Sequence, residues 1–407
     1  MAGYDIIMRL THAWLIILEL GHPSIYYHLF SSLTRFANLF YRLSIFLRFL
    51  AMARHNLVEL DSLVVQSVVD NQIDALTSSP RANKRGGFRT AKGLSLIITA
   101  TKGPLNHTVL YDTGPDPRAW VHNYTQLQPE LPRVEHIVIS QWHPHTPGTL
   151  AQAIKTINQD NKSNPTPEIP VDVPTMQPTN GHPEHHILGP HVHTAVDPSQ
   201  LESFGAQLLE NNEPHTILDD MFLVSESLPA GSQKQKLHAN GRWLLHHTHS
   251  NSQSPNNGMN ERFLICKLKG ESTNFSCSCP HQRRWIQDRL TPTIPLLTSI
   301  DKGLIVITAC GHVGLKPMCS YALNLLHSPA DGAKAPPPPH VHALVGGLHM
   351  EEAEQVDLVA AITDVIQEID PDIILGGSCT GLRFQLEVEE RLPGRFVRCF
   401  CGGEYIF

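Results

Sequence analysis

Apolar residues in this chain fall into short runs that end abruptly in polar or histidine-bearing turns, with a few helical stripes between them. Over 353–369, Val356, Val359, Ile362, Val365 and Ile366 recur at helical spacing with Glu and Asp opposite. That predicts an amphipathic helix, which Pro371 stops. Residues 148–160 and 316–326 predict two more helices, the second with Pro317 in its first turn, where a missing N–H costs little. Ile137-Val-Ile139 and Ile373-Ile-Leu375 predict strands that deliver the chain into loops. Phe263-Leu-Ile-Cys-Lys-Leu-Lys269 and Gly303-Leu-Ile-Val-Ile-Thr308 predict the two arms of a hairpin.

Four polar stretches interrupt this pattern. Residues 158–186 are rich in Pro, Asn and Thr, and residues 230–260 in Ser, Asn, Gln and His. Residues 328–339 end in Pro336-Pro-Pro-Pro339, which is stiff and cannot continue a sheet. Residues 271–300 separate the hairpin arms where a short turn would serve; so long a loop is either a lid or an insertion foreign to the fold. Residues 1–58 differ again: apolar runs at 13–18 and 36–52, with Arg42 and Arg48 inside the second. Neither run reaches the ~20 apolar residues of a membrane span. A membrane-surface helix making peripheral contact, an organelle presequence and upstream sequence that is never translated all fit. The expected division is this extension at 1–58 and one layered domain at 59–407, long enough to bury a single large interior.

Charge and cysteine content narrow the partners. Lys and Arg number 31 against 38 Asp and Glu, a net charge of −7, with the basic residues dispersed; no footprint for nucleic acid is present. Eight cysteines in 407 residues, several inside predicted strands, do not form a secreted disulfide framework. An intracellular setting follows, the cytoplasm first, with mitochondrial or membrane-associated placement left open by the extension. Cys277-Ser-Cys279-Pro-His281 has the look of half a metal knuckle, without a second pair at zinc-finger spacing.

The densest candidate chemistry lies at 139–150, Ile-Ser-Gln-Trp-His-Pro-His-Thr-Pro-Gly-Thr-Leu. A strand ends in imidazoles at i and i+2, His143 and His145, which can converge on one ion from a loop. The chain holds 25 histidines, so spacing alone proves little. His191-Val-His193, His340-Val-His342 and His246-His247-Thr-His249 read as solvated loop histidines.

The order of motifs is more specific. Val64-Val-Gln-Ser-Val-Val69 followed by Asp70-Asn71, Gly93-Leu-Ser-Leu-Ile-Ile98, and Val109-Leu-Tyr-Asp-Thr-Gly-Pro-Asp-Pro117 precede the histidine loop. Phe222-Leu-Val-Ser225, Asn260-Glu-Arg-Phe-Leu264, Ile307-Thr-Ala-Cys-Gly-His-Val-Gly-Leu315, Val345-Gly-Gly-Leu-His349, Gly377-Ser-Cys-Thr-Gly381 and Leu392-Pro-Gly-Arg-Phe396 follow it. In this order the motifs resemble the metallo-β-lactamase-fold hydrolases, specifically the dihydropterin ribofuranosyl-aminobenzene phosphate synthase-like branch, over residues 60–407. The resemblance implies an α+β fold, a four-layer αββα sandwich, with metal sites at the strand ends.

It also implies a degenerate centre. The branch's loop reads His-x-His-x-Asp-His, where this chain has Gln141, His143, His145 and Thr146; the histidine expected before Cys379 is Ser378. His143 and His312 are the surviving ligands, and His145 or His349 would complete a set of three. Three protein ligands with one open position are what a catalytic zinc ordinarily takes. The expectation is one zinc or other divalent ion, acting on a phosphate- or ester-bearing small molecule by hydrolysis or group transfer. His145 could instead serve as general base. The alternative is an inactive pseudoenzyme that binds a small molecule or protein through the same pocket. Asp112 reads as a structural turn residue at the site, its carboxylate accepting backbone N–H groups while Gly114 permits positive φ. Cys310 and Cys379 read as small buried apolar side chains, though a thiolate there could bind zinc.

Overall fold

The structure is a computed structural model that describes residues 57–73, 87–128, 131–141, 149–160, 168–174, 198–229, 260–270, 275–277, 301–326, 340–351, 353 and 355–407. The extension up to residue 56, most of the four polar segments, and His143, His145 and Thr146 lie outside the described residues.

The first half runs β1 (Glu59–Leu60), β2 (Ser62–Val69), β3 (Ser95–Lys102), β4 (Leu105–Tyr111), α1 (Pro117–Leu127), β5 (His136–Val138), α2 (Leu150–Asp160), β6 (Ile169–Val173), α3 (Pro198–Ser203) and β7 (Ala206–Glu210). The second runs β8 (His215–Ile217), β9 (Phe222–Val224), β10 (Leu228–Pro229), β11 (Asn260–Glu261), β12 (Leu264–Lys269), β13 (Ser276–Cys277), β14 (Asp301–Thr308), α4 (Leu315–Leu326) and β15 (Val341–Gly347). It closes with α5 (Gln355–Asp364), a π-turn at Val365–Ile369, β16 (Ile373–Gly377), α6 (Leu382–Arg391), β17 (Phe396–Arg398) and β18 (Glu404–Ile406).

Among the described residues, two eight-stranded sheets form, one ordered β13-β18-β2-β3-β4-β5-β6-β7 and the other β17-β16-β15-β14-β12-β9-β8 with β1 beside β12, and β10 pairs separately with β11. Each sheet is a meander on one side and parallel on the other: β2, β3 and β4 pair antiparallel before β4, β5, β6 and β7 run parallel. Likewise β9, β12 and β14 pair antiparallel before β14 to β17 run parallel. Parallel strands need crossovers, and α1, α2, α4, α5 and α6 lie between successive strands to provide them.

Alternation along the strands divides the interior into three cores. Leu96, Ile98, Val109 and Tyr111 of one sheet meet Leu264, Cys266, Ile305, Ile307, Ala343 and Val345 of the other. On the far sides, Ile97 and Leu110 pack with Trp120, Tyr124 and Ile154, while Ile265, Val306 and Leu344 pack with Met318, Ile362 and Phe384. Helix, sheet, sheet, helix is therefore the layer order, because both faces of both sheets are apolar.

Two expectations need correction. In α5 the buried stripe is Leu358, Ala361, Ile362, Val365 and Ile369, whereas Val359 is 37% exposed. Ile362 and Val365 of the predicted stripe are buried, but packing against α4 and α6 turns the buried face toward Leu358, Ala361 and Ile369 and leaves Val359 out. A π-turn also shifts the phase at its end, Asp370 N–H reaching Val365 O at 2.8 Å. The 271–300 segment is not only a loop between hairpin arms. Leu264–Lys269 and Asp301–Thr308 do pair antiparallel, but Ser276–Cys277 leaves them to pair with β18 on the other sheet. Phe275 meets Phe407 there at 5.0 Å between ring centroids. No helix among the described residues is long and apolar enough to cross a membrane.

One buried ion pair ties the two sheets beneath the site. Arg262, fully buried between β11 and β12, donates to Asp172 Oδ1 on β6 at 2.6 Å and to the carbonyls of Ile139 at 2.6 Å and Asp172 at 3.0 Å. Its own N–H bonds Ser140 O at 2.8 Å, and Tyr111 donates to its carbonyl at 2.9 Å. Burial alone would raise the Asp172 carboxyl; the hydrogen bond from His215 at 2.5 Å and the Arg262 charge hold it below the ordinary value. Removing one partner of a buried pair strands the other. Arg262→Met is expected to lose about 3–5 kcal/mol of stability in urea unfolding; a loss under ~1 kcal/mol would show that the pair does not tie the sheets.

Candidate metal centre

The site forms where β14, β15 and β16 end. Glu261, fully buried on β11, receives the whole Thr308–His312 turn. Its Oε1 accepts from Thr308 Oγ1 at 2.5 Å, Cys310 N–H at 3.0 Å and Gly311 N–H at 3.1 Å, and its Oε2 accepts from His312 N–H at 2.7 Å. A carboxylate with this many donors fixes the turn and hence the direction of both Cys310 and His312. Next to it, β15 must lie close to β14: a Cβ on Gly346, at φ +120°, would sit 1.8 Å from Thr308 O.

His349 follows β15 with φ +55°, a left-handed conformation uncommon outside glycine. Hydrogen bonds to the next loop hold it there: His349 N–H to Cys379 Sγ at 3.3 Å, Met350 N–H and Glu351 N–H to Cys379 O at 3.0 and 2.9 Å. The His312 and His349 rings lie 4.3 Å apart, tilted by 49°. Cys310 Sγ is 3.6 Å from His349 Nδ1 and 3.2 Å from Cys379 Sγ. Both thiols are partly exposed, contrary to the expectation of buried apolar side chains. Their hydrogen bond separates their acidities. It lowers Cys379, against burial and with help from His349, and raises Cys310.

Of the remaining sequence candidates, Ser378, Asp112 and Gln141 are described, while His143, His145 and Thr146 lie outside the described residues. Ser378, φ +47°, is held by its N–H to buried Asp70 Oδ2 at 2.9 Å and by its carbonyl, which accepts from Asn71 Nδ2 at 2.7 Å. Asp112, φ +54° and fully buried, accepts from Ser140 N–H at 2.8 Å and Ser140 Oγ at 2.7 Å. Gln141 is buried immediately after Ser140. Glu261 went unrecognised in the sequence; the only signal was an adjacent Glu-Arg pair leading into an apolar strand.

His340 and His342 depart from the solvated-loop reading. His342 is buried, its Nδ1 2.8 Å from Asp372 Oδ2, and His340 Nε2 is 3.0 Å from the same oxygen. These imidazole hydrogen bonds outweigh burial and hold the Asp372 carboxyl below the ordinary range. The cluster lies at the start of β15 and just before β16, whereas His349 and Ser378 follow those strands, so it stands at the other end of the sheet.

Among the described residues, Cys310, His312 and His349 bring three potential ligand atoms within 4.8 Å of one another. The chain aligns with 7,8-dihydropterin-6-methyl-4-(β-D-ribofuranosyl)-aminobenzene-5′-phosphate synthase of Methanocaldococcus jannaschii, 21% identical over 335 residues, 82% of this chain and 96% of the relative. The fold is a four-layer αββα sandwich. Solved structures similar to it include a metal-dependent hydrolase of the β-lactamase superfamily, 15% identical, covering 84% of this chain and 98% of that one, TM-score 0.48. A diphosphatase of the PhnP family is 9% identical, covering 84% and 96%, with a TM-score of 0.36. No protein-family model matches the chain. The nitrogen and sulfur donors at the ends of β14 and β15 suit a divalent transition ion.

The buried carboxyl of Asp112 gives a pH test. Burial raises it from 3.8 to about 7, the Ser140 hydrogen bonds opposing and the Glu261 charge adding. The folded chain then keeps a proton that the unfolded chain releases, so this contribution is full below about pH 4 and is lost as pH rises through about 7. Asp112→Asn, able to keep both Ser140 partners, is expected to flatten stability over that window by up to about 1.4 kcal/mol per pH unit. Parallel profiles for the two proteins in chemical denaturation would show that Asp112 ionises normally.

Proposed function

We propose that the protein is a metal-dependent hydrolase or group-transfer enzyme that acts on a phosphate- or ester-bearing small molecule through a single-ion centre. The observation that carries this is the convergence of His312 and His349 at the ends of β14 and β15, preset by Glu261 and by the Cys379 backbone. The curated relative's name contains a ribofuranosyl 5′-phosphate, which supports a phosphate-bearing substrate for this chain.

His312 and His349 would hold the ion. When bound, it would supply Lewis-acid polarisation of a phosphoryl or carbonyl oxygen. The chain's own residues fix the orientation: Glu261 sets the His312 backbone, and Cys379 O fixes the loop after His349. Gln141 and Ser378, where the resembled branch carries histidines, are proposed to offer neutral groups for hydrogen bonding to substrate oxygens rather than metal ligands. His143 and His145, on the loop outside the described residues, are proposed to add a ligand and a general base.

The full chain purified without chelator is expected to carry about one divalent ion and to hydrolyse a chromogenic phosphate ester. His312→Ala and His349→Ala should each lower the rate by at least about 100-fold, beyond the range of losses at groups that only support ligands. A folded chain that takes up no zinc and hydrolyses nothing would instead be a binding protein.

A further inference from the structure

We propose that Cys310 is itself a metal ligand, so that the centre is a Cys-His-His site for a thiophilic ion, with Cys379 as the hydrogen-bonding partner of the bound sulfur. This rests on the metal-dependent reading above and adds to it a sulfur ligand and the class of ion.

Three observations carry it. Cys310 Sγ lies within 4.8 Å of the ligand nitrogens of both His312 and His349. Its 3.6 Å separation from His349 Nδ1 is the sulfur–nitrogen edge expected around a tetrahedral zinc, about 3.6 Å from bonds of about 2.3 and 2.0–2.1 Å. Finally, Glu261 accepts the N–H groups of Cys310, Gly311 and His312 together, so Cys310 and His312 are aimed by one anchor as a single i, i+2 unit. The spacing is that of the pair His143 and His145 in the sequence.

Cys379 has the complementary placement. Its Sγ is 3.2 Å from Cys310 Sγ and accepts the His349 N–H at 3.3 Å, so its S–H can point at the Cys310 sulfur. Binding breaks the Cys310 S–H bond, its proton passes to Cys379 Sγ 3.2 Å away, and the sulfur lone pair goes to the ion with no change of oxidation state. A hydrogen bond from Cys379 then steadies the thiolate, as groups behind metal ligands do. Sulfur in the set favours zinc, cadmium or cobalt over magnesium, manganese or calcium.

The test is a cobalt(II) titration of the metal-depleted full chain, followed by absorption spectroscopy, with circular dichroism to confirm folding. The wild type should bind one cobalt ion with tetrahedral visible bands and a near-ultraviolet sulfur-to-cobalt band of single-thiolate intensity. Cys310→Ser should lose the near-ultraviolet band. Cys379→Ala should keep it while binding roughly 10-fold more weakly. If Cys310→Ser fails to fold, the wild-type band and its survival in Cys379→Ala decide the matter. Cobalt bound without the near-ultraviolet band, or a band lost in Cys379→Ala and kept in Cys310→Ser, overturns Cys310 as ligand while leaving the metal-dependent reading intact. No cobalt or zinc bound by the folded chain overturns both.

Discussion

Two adjacent buried charges, Glu261 and Arg262, hold the two halves of this sandwich and its site in one frame. Neighbouring side chains in extended backbone point to opposite sides. Glu261 therefore faces the Thr308–His312 turn, while Arg262 faces Asp172 and the Ile139 carbonyl at the ends of β5 and β6. Neither charge is tolerable in the interior without partners, since burial of an unpaired ion costs far more than any one contact returns. Each one thus demands a specific geometry of the chain around it. The strand ends of one sheet are placed by Glu261 and those of the other by Arg262.

What this frame supports is a rim of strained backbone. Asp112, His349 and Ser378 all have positive φ, and each follows a strand, β4, β15 and β16 respectively. Such conformations cost of order 1–3 kcal/mol each and persist where surroundings over-determine them. Here Ser140, Cys379 and Asp70 supply the determining bonds. The reward is preorganisation: His312 and His349 face each other because of hydrogen bonds already made within the chain.

Much of this was legible in the sequence. The β12–β14 hairpin, the helices near 150–160 and 315–326, and the four layers follow from apolar runs and motif order. His312 and His349 could be singled out because the turns that carry them resemble those of the metallo-β-lactamase-fold branch. Glu261 could not, because its partners lie some fifty residues away and only sheet pairing brings them together. His342 has the spacing of an exposed pair, yet the β15–β16 register sets it beside Asp372. Cys310 and Cys379 look like small apolar residues until the turns at β14 and β16 bring their sulfurs into contact. Val359 illustrates the limit of periodicity: it shares the predicted stripe with Ile362 and Val365, yet packing leaves it out.

An anomalous difference map at the zinc edge, from crystals of the full chain grown with zinc, tests the arrangement most directly. One peak bounded by Cys310, His312 and His349, with Glu261 still capping the turn, is the expected result. A peak away from His312 and His349, or an empty site with those rings turned apart, would contradict a centre preset by the Glu261 carboxylate.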